Sequence, residues 1–216
     1  VNIGFILFPQ VTQLDFTGPL QVLHRMPGAT THILAKSSNP VASDCGLALV
    51  PTATFAAAPK LDMICVPGGF GVADAIDDAE TLAFVRTSGA LAKYVTSVCT
   101  GAFILGAAGL LTGKRATTHW AYHHLLPMVG AVPEQARVVR DGDTITGGGV
   151  TAGIDFALTV VAQVSGAQAA RRIQLALEYD PGPPATFTDA RAELPVVQGF
   201  YEKRIEEFAA RLKAAV

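Results

Sequence analysis

One cysteine of this chain, a residue type with nucleophilic chemistry, sits at an abrupt change of local structure. Tyr94-Val-Thr-Ser-Val98 is apolar and β-branched, whereas Thr100-Gly101 and the small aliphatic residues after them favour a helix. Cys99 lies between the two, so a strand is predicted to stop at the cysteine and turn at once into a helix. That places Cys99 exposed on a tight turn beside a helix N-terminus, where free backbone N–H groups and the helix dipole favour a thiolate. A buried structural cysteine is the alternative role. Asp15 stands between Leu14 and Phe16. It either caps a helix near Thr17 or, in that apolar company, acts as a carboxyl proton donor with a raised pKa. Gly68-Gly69 either makes a turn or brings bare backbone N–H groups up to developing negative charge. Gly147-Gly-Gly149 reads as a tight turn that also forms a wall under the cysteine. His119, in Ala116-Thr-Thr-His-Trp120, reads as a structural histidine hydrogen-bonded near Trp120. Thr100 follows the cysteine and either caps its helix or bonds a neighbouring acceptor.

The elements that would position these groups alternate along the chain. Apolar runs at Asn2–Phe8, Thr31–Lys36, Leu61–Val66 and Tyr94–Val98 read as strands, with Leu47–Thr52 and Val41–Ser43 in a β-rich excursion. Helices are expected from Thr17 to about Arg25, with Pro19 in the first turn, and over Glu80–Gly89, Thr151–Val164 and Ala167–Leu177. Arg137–Ile145 reads as a hairpin turning at Asp141-Gly142, a pair suited to a type I′ turn. Asp180–Pro184 is an irregular crossing. A C-terminal amphipathic helix begins at Pro195, with Val197, Tyr201, Ile205, Phe208 and Leu212 on one face. The pattern predicts an α/β sandwich around a mostly parallel sheet, as one domain over residues 1–216. In such sheets sites form beyond the carboxyl ends of the strands. Gln13–Asp15, Pro67–Gly69 and Cys99 all follow strands, so the topology is expected to gather a thiol, a carboxylate and two glycine amides.

Composition narrows the function. The chain has 216 residues, half of them apolar, and a formal net charge of −2. It carries no basic run for nucleic acid. Its most apolar stretch, Ala152–Val164, is interrupted by Asp155 and Gln163 and is shorter than the roughly 20 residues of a membrane span. No secretory signal is expected, since the N-terminus enters a strand without a basic region. Cys45, Cys65 and Cys99 are an odd number without metal-ligand or CxxC spacing, which suits a reducing cytoplasm. There is no P-loop or GxGxxG fingerprint; Gly69-Phe-Gly71 lacks the third glycine.

Taken together, the motifs resemble the DJ-1/PfpI superfamily of class I glutamine-amidotransferase-like folds, which implies a flavodoxin-like sheet with the cysteine on a nucleophile elbow. They are Phe-Pro-x-Val-x-x-Leu-Asp-x-x-Gly-Pro from Phe8 to Pro19, Val66-Pro-Gly-Gly69, Ser97-Val-Cys-Thr-Gly101, the run from Gly109 to Trp120, and Thr146 to Asp155. Within that superfamily the pattern is most similar to isocyanide hydratases. That resemblance implies a small-molecule isocyanide substrate, no metal or organic cofactor, a cytoplasmic homodimer, and no nucleic acid or membrane partner. It implies catalytic roles for Cys99, Asp15 and Thr100, with Gly68, Gly69 and Val150 around the substrate. The same Ser-Val-Cys-Thr-Gly and Ala-Thr-Thr-His-Trp segments occur in ligand-sensing domains of AraC-type regulators, so a ligand or redox sensor is one alternative. No helix-turn-helix module is expected after the single helix that follows Pro195. Another thiol enzyme of the superfamily, such as a glyoxalase-like one, is the second alternative. Against it, Thr100 stands where those proteins carry histidine, and Asp15 where DJ-1 carries glutamate.

Overall fold

The computed structural model describes residues 1–183 and 187–216. In chain order its first half comprises β1 (Asn2–Ile6), α1 (Gln13–Leu23), β2 (Thr30–Ala35), β3 (Val41–Ala42), β4 (Ala48–Leu49), β5 (Ala53–Thr54) and β6 (Met63–Val66). Then come α2 (Val72–Asp77), α3 (Ala79–Leu91), β7 (Tyr94–Val98), α4 (Gly101–Ala107), β8 (Arg115–Ala116) and a 3-10 helix over Trp120–Val129. The chain continues with β9 (Val132–Pro133), β10 (Val138–Asp141), β11 (Thr144–Gly147), α5 (Ala152–Ser165), α6 (Ala167–Ala176), α7 (Phe187–Ala190) and α8 (Leu194–Ala215).

Seven strands form the central sheet in the order β10-β11-β7-β6-β1-β2-β5. Every pairing in it is parallel except the β10–β11 hairpin at one edge. Strands β6 and β11 are buried at every residue, as expected where helices cover both faces. Helices α1, α5 and α6 pack together, and so do α2, α3, α4 and α8, with the sheet between the two sets. Gly153 sets the closest approach of α1 to α5: a Cβ there would meet the Pro19 ring at 3.1 Å. The outlying pairs β3–β4 and β8–β9 form two-stranded ribbons.

Three local expectations change. Helix α1 begins at Gln13 rather than Thr17, so Pro19 is inside it and Asp15 belongs to its first turn instead of capping it. The hairpin's two central residues are Gly142 and Asp143, and of these only Gly142 has positive φ (64°). Glycine at the first central position with an ordinary second residue is the type II′ pattern, not I′. Helix α2, between Gly71 and Asp78, was not foreseen; six residues are too few to show a helical period. The expected irregular crossing has no regular structure over residues 180–183, and its last residue, Pro184, lies outside the described residues. Among the described residues, no helix is long and apolar enough to cross a membrane.

Candidate active site

The carboxyl ends of β1, β6 and β7 are neighbours because those strands are neighbours, and their following loops are tied to one another. Val11 and Gly69 form an isolated antiparallel bridge, and the Thr12 N–H donates to the Gly68 carbonyl at 2.9 Å. Helix α1 starts immediately afterwards, which carries Asp15 back over the second loop. There its Oδ2 accepts the Gly68 N–H at 3.1 Å. The spot is too crowded for any side chain on residue 68: a Cβ would lie 2.6 Å from Thr100 N and 2.8 Å from Asp15 Oδ2.

Cys99 follows the last residue of β7 with φ 55°, the left-handed region that non-glycine residues rarely enter. This is the strained strand-to-helix turn of a nucleophile elbow, and its neighbours hold it there. The Cys99 N–H donates to the carbonyls of Gly147 (3.0 Å) and Gly148 (2.9 Å), and the Thr118 hydroxyl donates to the Cys99 carbonyl at 2.7 Å. Gly101 is needed next, because a Cβ there would overlap the Val66 and Pro67 carbonyls. The Gly147–Thr151 turn is held in its turn by Arg137. Its carbonyl accepts the Gly148 N–H at 2.9 Å, and its guanidinium pairs with Asp155 and donates to the Thr151 carbonyl at 3.0 Å.

Cys99 is buried, at 5% exposure, where the sequence led us to expect an exposed turn. Its thiol pKa is pushed well above the usual value, first by burial and then by the Asp15 charge, with the Thr100 backbone N–H opposing. The resting group is therefore a thiol, not the thiolate expected from a helix N-terminus. Asp15 is fully buried, and its carboxyl is pushed up to about 7. Burial is the cause, opposed by hydrogen bonds from the Cys99 thiol and the Gly68 N–H. Asp15 Oδ1 is buried and has no hydrogen-bond partner among the described residues. Desolvation resists every charge placed on the pair, and a second charge would repel the first.

The glycine amides are not free donors. Gly68 N–H is taken by Asp15, and Gly69 N–H by the Thr100 hydroxyl at 3.0 Å. Thr100 occupies the N-cap position of α4 without making a side-chain cap, since its hydroxyl bonds across the chain to Gly69. Gly69 and Thr100 line the cavity over Cys99; Gly68 sits behind it. That cavity is about 50 Å3, walled by Thr12, Phe70, His119, Tyr122, Val150 and Tyr201. A cleft of about 250 Å3 shares Gly69, Phe70, Thr100 and Tyr122 with it and extends beside Arg204 and Arg211.

Of the residues expected at the site, the structure brings Asp15, Gly68, Gly69, Cys99, Thr100 and Val150 together. Sequence reasoning missed Thr12, Phe70, Tyr122 and Tyr201, and gave His119 only a structural part. His119 does have one: as N-cap of the 3-10 helix, its Nδ1 accepts the Ala121 N–H at 3.3 Å. It also belongs to an aromatic wall, with ring centroids 5.3 Å from Tyr201 and 6.0 Å from Tyr122. Tyr201 comes from α8, on the amphipathic face read from its spacing.

A parallel sheet with a buried cysteine elbow facing a carboxyl from the first helix defines a class, and sequence comparison gives it a family. The chain belongs to the DJ-1/PfpI family, whose profile matches residues 1–163. Isonitrile hydratase of Pseudomonas putida is 59% identical over 184 residues, covering 85% of this chain and 81% of that one. The HTH-type transcriptional regulator CdhR of Pseudomonas aeruginosa is 29% identical, over 78% of this chain and 52% of its own. A THiJ/PfpI family protein from Pseudomonas syringae superposes with a TM-score of 0.91 at 45% identity, covering 99% of this chain and 89% of that one.

Proposed function

We infer that the protein is an isocyanide hydratase, converting an isocyanide and water to an N-substituted formamide with Cys99 as nucleophile. Identity of 59% to an isonitrile hydratase across most of both chains supports the activity. One observation carries the mechanism: a buried thiol pairs with a buried carboxyl poised near neutrality. An isocyanide carbon is electrophilic toward soft sulfur and becomes basic as the C–S bond forms. The Asp15 carboxylate takes the Cys99 proton as sulfur attacks that carbon, so negative charge passes from carboxylate to sulfur to carbon. Asp15 then gives the proton to the carbon, leaving the thioimidate R–N=CH–S–Cys99 and a regenerated carboxylate.

Hydrolysis reverses the flow. Asp15 removes a proton from water as the oxygen attacks the thioimidate carbon, and the nitrogen takes a proton from solvent. The adduct R–NH–CH(OH)–S–Cys99 loses its hydroxyl proton to solvent as the C–S bond breaks. Asp15 returns its proton to the departing sulfur, and the formamide leaves. The Thr100 N–H steadies the sulfur while it is charged. The Gly69–Thr100 hydrogen bonds hold that loop against the elbow. Because Asp15 both removes and returns the proton, no histidine need follow the cysteine.

An alkyl isocyanide and methylglyoxal offered side by side test this reading. Formamide from the first, with little turnover of the second, is the expected result. Lactate from methylglyoxal as the dominant product would instead make the protein a glyoxalase-like enzyme. Silence toward both would leave a sensor.

A further inference from the structure

Hydrating an isocyanide changes both the carbon and the nitrogen of its N≡C group, and the residues assigned so far act on only one. Cys99 and Asp15 work at the carbon. The nitrogen ends with a proton it did not have, and the thioimidate C=N must be polarised before water adds to it. A donor on the cavity wall would serve that step, and apart from His119 and the hydroxyls of Tyr122 and Tyr201 the polar groups there are already engaged. The Thr12 hydroxyl donates to Asp44 at 2.7 Å, and the Thr100 hydroxyl is bound to Gly69 at 3.0 Å. Cys99's own N–H is shared between two carbonyls.

His119 is differently placed. The Ala121 N–H points at Nδ1, which must therefore be the acceptor, so the ring proton of the neutral imidazole sits on Nε2. Nε2 has no hydrogen-bond partner among the described residues, and the ring forms part of the cavity wall with its Nε2 edge beside Gly149. Its position relative to the nucleophile is fixed, because the preceding residue, Thr118, donates to the Cys99 carbonyl at 2.7 Å. Burial holds the imidazole's pKa down at about 4, so the ring stays a neutral donor at working pH and does not compete for the thiol proton.

We propose that His119 is a catalytic residue of the second half-reaction, donating a hydrogen bond from Nε2 to the thioimidate nitrogen. It loses no proton. The hydrogen bond draws electron density toward nitrogen while water adds at carbon, and the nitrogen proton comes from solvent as above. This assignment rests on the hydratase reading, and one pair of variants separates it from a purely structural role. Asparagine presents its Oδ1 where Nδ1 lies and keeps the cap while deleting the donor. Glutamine places an N–H where Nε2 lies and keeps the donor while losing the cap.

Each enzyme is mixed with cyclohexyl isocyanide, quenched in acid at intervals, and weighed by intact mass spectrometry alongside the formamide yield. H119N should turn over on the order of 100-fold more slowly, the usual effect of removing one positioned hydrogen-bond donor. It should also accumulate protein heavier by one isocyanide. H119Q should retain most of the wild-type rate without accumulation. Wild-type turnover by H119N, or equal impairment of both variants without an adduct, overturns the proposal. Absence of formamide from the wild type would defeat the hydratase reading itself, a separate outcome.

Discussion

At the scale of the residue, reactivity here comes from denying charge to two groups rather than from stabilising it on one. Asp15 sits in the first turn of a helix, where a carboxylate is normally favoured, yet complete burial outweighs that dipole and leaves its pKa near 7. The sign of the resulting pH dependence is fixed. Between 3.8 and about 7 the folded protein keeps a proton that the unfolded chain releases, so stability falls as pH rises through that window. Asp15→Asn removes the effect. From pH 4 to 8 the unfolding free energy of the wild type should fall relative to that variant by up to about 4 kcal/mol, measured by urea denaturation. A difference independent of pH would show that Asp15 titrates normally. The same group should make kcat/KM rise through a midpoint near 7, because only the carboxylate can take the thiol proton. Leu14 and Phe16 made this environment legible in the sequence. The burial of Cys99 was not, because it depends on walls from Thr12, His119 and Tyr201, distant in the chain.

At the scale of the element, the site is a product of where strands stop. β7 ends at Val98 as the apolar pattern requires, and its neighbours β6 and β1 end at the same edge, which is why a fold-level argument was enough to gather Asp15, Gly69 and Cys99. The start of α1 was misread because Pro19 suggested a first turn. The backbone follows the Thr12–Asp15 turn instead (Asp15 N–H to Thr12 carbonyl, 3.0 Å) and tolerates the proline inside. The elbow itself depends on Gly101, the residue that lets α4 start against the Val66 and Pro67 carbonyls. Gly101→Ala cannot be accommodated by rotating a side chain, since the obstacles are backbone. It should cost roughly 2–4 kcal/mol, read as a lower urea midpoint with an unchanged slope. An unshifted midpoint would mean that β6 and the elbow are not in the contact described.

At the scale of the whole molecule, the reaction centre draws on the full length of the chain, from Thr12 to Tyr201, and the last helix closes what the sheet begins. Phe208 and Leu212 bury α8 against the rest of the protein, and Arg211 pairs with Asp74 and Asp77 of α2, which sets Tyr201 over the nucleophile. The amphipathic stripe of α8 was plain in the sequence. That its one tyrosine faces the site was not, because spacing reports a face and not what lies under it. The three cysteines show how far placement decides chemistry. Cys45 is exposed on the loop joining the two strands of a ribbon; Cys65 is buried in mid-sheet with its thiol pushed up to about 12; Cys99 alone meets a carboxyl within a cavity. The most direct test is therefore to quench the enzyme during turnover of an alkyl isocyanide, digest it, and map the covalent adduct. One isocyanide mass on the peptide containing Cys99, absent from Cys99→Ala along with formamide production, is the predicted result. Formamide formed at an undiminished rate by Cys99→Ala would contradict the account.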